Sequence, residues 1–326
     1  MRALSILPGK LLTLLASLAL CGAAVAQSYP DKQIRLVLGF AAGGPTDIIA
    51  RHIAKDLSDI FKQSVVVENK TGASGNIATD FVGGSAADGY TLLFTAHTHL
   101  TNEILMDKLR YNPIRDFAPI SEVCILPLLL LTEAASPMNS VADFVQAAKV
   151  SPGILSYASA GIGSSGHLGG ALFEMLSGTK MTHVPFRGNA NAIVEVMAGR
   201  VTTVFYPMIG VADMVKQKQV KVLVSGTPRR LPDFPNVPTM AEVGYPGFVD
   251  TVPWLGVLAP AGTPAAIVER VNAAIHQSLN KPETRDRLRD LGAVIVTNTP
   301  AEFKTFLEKD SERWARLIKA AGVKGG

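Results

Sequence analysis

Two glycine-rich segments carry residue types whose backbone could hold an anion. The first, Phe40-Ala41-Ala42-Gly43-Gly44-Pro45-Thr46-Asp47, joins an apolar strand pattern to a helix pattern. Its glycines allow a tight turn that exposes amides, and the helix start adds unpaired N–H groups and a partial positive charge. An ordinary strand-to-helix turn capped by Thr46 or Asp47 is the other reading of the same residues. The second, Gly161-Ile162-Gly163-Ser164-Ser165-Gly166, matches G-x-G-x-x-G. Dinucleotide binding would also need an acidic residue at the end of the next strand. That strand ends in Val184-Pro185-Phe186-Arg187, without an acid. The anion-cradling half of the motif survives: glycines, two hydroxyls and a helix N-terminus suit a carboxylate. His167, at the start of that helix, serves equally as a cap, a packing residue or a ligand contact.

Other chemistries lack their residues. Ser165 is followed two positions later by His167 rather than the glycine a G-x-S-x-G elbow needs, and Ser74 is likewise followed by Asn76. The six histidines form no H-E-x-x-H pattern. His97 and His99 stand two apart after a strand, a spacing some metal sites use. They have no cysteine or carboxylate close by in sequence, so no metal is expected. They line a cleft or cap the next helix instead.

The elements that position these loops follow an export signal. Arg2 and Lys10 precede an apolar run ending in Ala24-Val25-Ala26, the pattern of a secretory peptide cleaved after Ala26, so that the mature chain starts at Gln27. The stretch is short and rich in small residues for a membrane anchor. Leu20 sits where a lipoprotein motif at Cys21 needs a small residue. Without residues 1–26 the chain carries 29 basic against 27 acidic side chains, no electrostatic case for nucleic acid. Cys124 is then the one remaining cysteine, so no internal disulfide forms. The mature length exceeds what one core usually organises, which predicts two domains.

Strand and helix patterns alternate along it. A buried strand at 34–40 precedes a helix at 46–61 whose Ile49, Ile53, Leu57 and Ile60 share one face. Short strands at 65–67 and 90–95 follow. Further strands at 128–132, 155–159, 182–186, 203–205 and 220–225 alternate with helices near 167–177, 189–198 and 210–217. This order predicts parallel sheets covered on both faces. Ser140, Thr263 and Thr299 read as N-caps, with Thr299 and Glu302 forming a capping box and Pro264 and Pro300 at first helical positions. The last helix is amphipathic through Phe303, Phe306, Leu307, Trp314 and Leu317.

Taken with Gly72-Ala73-Ser74-Gly75-Asn76-Ile77, Asp116-Phe117-Ala118-Pro119-Ile120, His183-Val184-Pro185-Phe186-Arg187-Gly188 and the segments at 88–93, 237–242 and 258–264, the two loops form a recognisable series. In this order they resemble the substrate-binding proteins of tripartite tricarboxylate transporters, the Bug family of periplasmic receptors. The resemblance spans essentially the whole mature chain. It implies an α/β, two-lobed periplasmic binding protein (type II-like) with a hinge of two crossing strands, near 124–127 and 249–254. Lobe one would take 27–124 and 251–326, and lobe two 125–250. A small carboxylate would be held by amides and hydroxyls of Gly43, Gly44, Thr46 and Asp47 facing Gly163, Ser164 and Ser165, with Asp47 orienting bridging waters. The partners implied are that ligand and the membrane components of the transporter; the chain would act as a monomer, without cofactor, nucleic acid or catalysis.

Departures from the family pattern shape the ligand expectation. Thr202 and Tyr206 stand where the family often has Asp, and His97 and His99 where it usually has small hydroxyl residues. The Thr202 change reads as structural; with no carboxylate at Tyr206, His97 or His99 to meet an ammonium, the ligand is expected to lack an amino group. Phe40, Phe186 and Tyr206 would pack on an aromatic or aliphatic body, with His97 and Thr98 completing the cleft. The alternative is a periplasmic enzyme acting on a carboxylate or acyl substrate in the same cleft. A receptor reporting to a signalling sensor would look the same in sequence.

Overall fold

The first strand, β1 (Ile34–Leu38), is buried along nearly its whole length because β2 (Val65–Asn69) and β3 (Thr91–Ala96) flank it in parallel. A parallel strand covered by helices favours consecutive apolar residues, as Leu36, Val37 and Leu38 are here, while the half-buried Arg35 pairs with Glu68 on β2. The computed structural model describes residues 29–324, so the expected signal segment and the start at Gln27 lie outside the described residues. The sheet continues through β10 (Trp254–Pro260), β4 (Phe117–Ile125) and β11 (Val294–Ile295), in the order β11-β4-β10-β3-β1-β2. Around it lie α1 (Pro45–Phe61), α2 (Asn76–Gly83), α3 (Thr98–Leu105), α8 (Ala265–Asn280), α9 (Pro282–Asp290) and α10 (Pro300–Ala320).

A second sheet runs β7 (Thr182–Pro185), β6 (Ser156–Ser159), β8 (Thr203–Pro207), β5 (Leu128–Glu133), β9 (Val220–Ser225). Its helices are α4 (Val141–Val150), α5 (Ser165–Ser177), α6 (Asn189–Met197) and α7 (Val211–Lys216). The chain passes from the first sheet to the second between β4 and β5 and returns ahead of β10.

The sheets are mixed, not parallel throughout as the alternation predicts. β10 runs antiparallel to β3 and β4, and β5 antiparallel to β8 and β9. Both strands enter their sheet from the other one. Apart from β11, which is antiparallel to β4, the remaining strands point their carboxyl ends toward the junction, so a strand that starts there must run away from it. Local sequence carries no signal for that reversal.

The capping pattern is right in two places and wrong in one. Ser140 Oγ accepts from the Asp143 N–H at 3.1 Å, and Thr299 with Glu302 forms the reciprocal box. Thr263 instead donates to the Pro260 carbonyl at 2.8 Å, and α8 begins after Pro264 with no side-chain cap.

α10 anchors the returning strand. Trp254 and Trp314 are fully buried, and both indole N–H groups donate to Asp310 Oδ2, at 2.7 and 2.8 Å. Arg313 Nε donates to Asp310 Oδ1 at 2.7 Å. Each buried aromatic contributes about 1.5–3 kcal/mol by leaving water, and the shared carboxylate removes the cost of burying two indole donors. One apolar cluster runs through Trp254, Phe303 and Trp314 into Leu128, Phe173 and Phe205, so the two sheets share core at the crossing. Among the described residues no helix is long and apolar enough to cross a membrane.

Candidate functional site

A cavity of ≈ 590 Å³ lies where the carboxyl ends of strands from the two sheets meet, the position at which open α/β sheets take their ligands. One wall is Gly39 and Phe40 after β1, Gly72 to Ser74 ahead of α2, and Met106 after α3. The facing wall is Ala160 to Ile162 after β6, Pro185 to Arg187 after β7, and Asn191 in the first turn of α6. A larger groove of ≈ 800 Å³, beside α4 and β9, includes neither glycine loop and belongs to the second sheet alone.

The lobe-one loop is shaped by a close backbone approach. A Cβ on Gly39 would stand 2.3 Å from the Gly75 Cα, so no side chain fits there. Gly43 adopts φ +79, whereas Gly44 is the N-cap of α1 at φ −81. Asp47, expected to orient bridging waters, meets three donors of the protein itself. Its Oδ2 accepts the Gly43 N–H at 3.0 Å and Arg51 Nε at 2.8 Å, and its Oδ1 accepts Asn69 Nδ2 at 2.9 Å. Burial opposes ionisation of this group, but those hydrogen bonds prevail and hold it below the usual carboxylate range. Asp47 therefore fixes the loop. The N–H groups of Thr46 and Asp47 lie in the first turn of α1, where no preceding helical carbonyl reaches them.

A third segment closes the cleft. Gly72, Ala73, Ser74 and Gly75 all have positive φ, at 131, 45, 53 and 89°. For Ala73 and Ser74 that conformation is strained, of the kind held at functional sites by surrounding structure. Ser74 Oγ donates across the cleft to the Ile162 carbonyl at 2.5 Å, and Thr101 Oγ1 donates to the Gly163 carbonyl at 3.0 Å. The two lobes are thus hydrogen-bonded together at the cavity.

The lobe-two loop rests on neutral side chains. Its Gly161 N–H donates to Ser159 Oγ at 3.1 Å, and Ser159 Oγ lies 2.6 Å from His183 Nε2. The Gly163 N–H donates to His167 Nδ1 at 3.0 Å, while the Ser164 hydroxyl caps α5 by accepting the His167 N–H. The His167 and His183 rings stack at 4.0 Å, and Tyr157 stacks on His183 at 4.9 Å. Burial pushes His167 down to about 4; burial and then the neighbouring His167 push His183 down to about 3. Both rings are neutral near pH 7, as His167 Nδ1 must be to accept a hydrogen bond. The Ser165 and Gly166 N–H groups lie in the first turn of α5, where no preceding helical carbonyl reaches them.

Of the residues singled out in sequence, Phe40 and Phe186 stand in the cavity wall. Gly43, Gly44, Thr46, Asp47, Gly163, Ser164 and Ser165 build the two loops behind it. Three others are buried and do not line the cavity. Tyr206 is 2% exposed and packs in the second sheet's core, on the face of β8 that α6 covers. His97 stacks 4.7 Å from the Trp314 ring, wholly buried, pushed down to about 3 by burial and the nearby Arg313 charge. Thr98, 2% exposed, begins α3 beside it. His99 Nε2 meets the Pro113 carbonyl at 2.7 Å, and among the described residues no cluster of three metal-ligating side chains occurs. Ser74, Met106, Ile162, Arg187 and Asn191 were missed as wall residues. Ser74 and Arg187 lay within segments already noticed, but nothing in their spacing distinguishes a wall residue from a turn residue.

The model of one protein family, the tripartite tricarboxylate transporter family receptor, matches residues 49–323. The chain belongs to this family. BugT of Bordetella pertussis is 34% identical to this receptor over 301 residues, covering 92% of each chain. The solved structure of the periplasmic binding protein BugD superposes with a TM-score of 0.87 at 31% identity, covering 91% of this receptor and all of BugD. The R. palustris protein Rpa4515, solved with adipate, superposes with a TM-score of 0.88 at 33% identity, covering 91% of this receptor and all of that chain. The two-lobed α/β fold and the solute-binding rather than enzymatic character of this receptor follow from the family and these neighbours.

Proposed function

We propose that this receptor captures a small carboxylate between its lobes in the periplasm and presents it to the membrane components of a tripartite tricarboxylate transporter. The observation that carries the reading is the cleft itself. Phe40, at the head of one glycine loop, and Gly161 and Ile162, at the head of the other, wall a single cavity that interlobe hydrogen bonds close, and each loop opens a helix whose first-turn amides lack helical partners. The adipate in Rpa4515 supports a carboxylate as the ligand class. One carboxylate oxygen pair is met by amides of Thr46, Asp47, Ile162 and Ser165 and by the Thr46 and Ser165 hydroxyls, while Phe40 and Phe186 cover the ligand body. Hinge closure between lobes 27–124 with 251–326 and 125–250 then buries the ligand and creates the surface the transporter reads. The chain is exported by cleavage after Ala26 and works as a monomer.

Thermal unfolding of the mature chain against a panel of aliphatic and aromatic carboxylates tests the reading. At about a hundred times its dissociation constant a true ligand raises stability by about 2.7 kcal/mol. Thr46→Ala and Ser165→Ala each weaken binding by about 1–3 kcal/mol, the cost of one bond to a charged acceptor. Undiminished stabilisation in both variants places the ligand elsewhere.

A further inference from the structure

We propose that Arg187 determines specificity in this cleft, and that the receptor's ligand carries a second anionic group which the Arg187 guanidinium meets. The inference rests on reading the cleft as a carboxylate site and adds the class of carboxylate. Arg187 is the sole ionisable side chain in the cavity wall. Among the described residues it makes no ion pair and no hydrogen bond, whereas Arg200 and Arg230 in the same lobe are held by Glu195 and Glu242.

Its main chain is nevertheless fixed at both sides. The Phe186 N–H donates to the Ser159 carbonyl at 2.9 Å. Gly188, at φ +114, packs so close to lobe one that a Cβ there would stand 3.1 Å from the Ala41 N. The turn thus delivers a guanidinium to the junction of the lobes and leaves its tip without a partner. Most of the remaining wall is apolar: Phe40, Met106, Ile162, Pro185 and Phe186. A ligand filling this space strips water from the guanidinium. Without an anion opposite it, that desolvation counts against binding; with one, it becomes a charge-assisted and geometrically specific contact. The same group therefore selects dianions and rejects monoanions of equal length.

Calorimetric titration of the mature receptor with adipate and hexanoate, and with succinate and butyrate, tests this. In the native chain at least one dicarboxylate binds ten-fold or more tightly than its matched monocarboxylate. In Arg187→Gln that ratio falls to near one, and Arg187→Lys restores part of it. Arg187 is exposed, so all three proteins share one melting temperature without ligand. A ratio unchanged in Arg187→Gln overturns the assignment to Arg187. Equal binding of both members of each pair to the native chain overturns the dianion. Binding of no carboxylate overturns the carboxylate reading of the cleft, and this inference with it.

Discussion

Where the lobe-one loop, 40–47, is held by a buried ionised carboxylate, its lobe-two counterpart, 161–166, is held by neutral imidazoles and a hydroxyl. In lobe one Asp47 accepts from its own loop and is matched by Arg51 and Asn69. In lobe two His167 accepts from Gly163, and Ser159, backed by His183, accepts from Gly161. The two solutions end alike: each loop's shape is maintained without a net charge beside its exposed turn. They differ in what breaks them. The lobe-one loop depends on backbone packed against backbone and on an ion pair, and the lobe-two loop on side chains that can shift and titrate.

The largest expected effect exploits the first difference. Gly39→Val drives a side chain into the Gly75 backbone, which has nowhere to move, and costs about 3 kcal/mol with loss of ligand binding. Gly163→Ala meets the Leu105 and Thr101 side chains at 2.8 and 3.0 Å and adds the strain of φ +76, a smaller cost of about 1–2 kcal/mol. Chemical denaturation compares them; a milder Gly39→Val than Gly163→Ala contradicts the contrast.

Acid separates the loops next. The unfolded chain protonates His167 near pH 6.5, whereas the folded chain resists until about 4. Stability therefore falls as pH drops through that window, by about 3 kcal/mol for His167 alone. Asp47, held below the usual carboxylate range, keeps its contribution throughout that window and loses it only as pH falls through its lower folded value. Melting curves from pH 7.5 to 4.5 should show the decline, and His167→Gln, whose amide oxygen still accepts from Gly163 but does not titrate, should flatten it. His97, His99 and His183 act in the same direction, so some slope remains. An identical slope in the variant removes His167 from the account.

Asp47→Asn leaves Arg51 beside a neutral group and one loop contact repelled, a loss of about 2 kcal/mol measured by denaturant unfolding at neutral pH. Full stability in that variant means the ion pair is not what fixes the loop. The smallest effect belongs to Ser74→Ala, which removes the bond to the Ile162 carbonyl. Ligand affinity falls by about 1 kcal/mol while melting without ligand barely moves, because the bond matters to closure. Unchanged affinity there means that other contacts hold the lobes shut.

What local sequence determined is what local physics controls. Glycine next to a helix start, a hydroxyl three residues before Glu302, and the largely apolar run at 34–38 have meaning wherever they fall, so both glycine loops at helix starts and the α/β class were legible in the sequence. The family series also carried the two-lobed fold. Side chains within those segments were less legible. Tyr206 looked like a cleft residue from the family pattern and His97 because it follows a strand, yet one faces the core beneath α6 and the other lies against Trp314, which arrives from more than two hundred residues downstream. Asp47 was expected to orient bridging waters, and only the placement of Asn69 and Arg51 reveals the protein donors its carboxylate meets. Ser74 and Arg187 became wall residues because the crossing strands bring loops from different lobes into contact. Strand direction at the crossing, pairing between lobes and the partners of a buried charge depend on chain segments distant in sequence, and no window along one segment contains them.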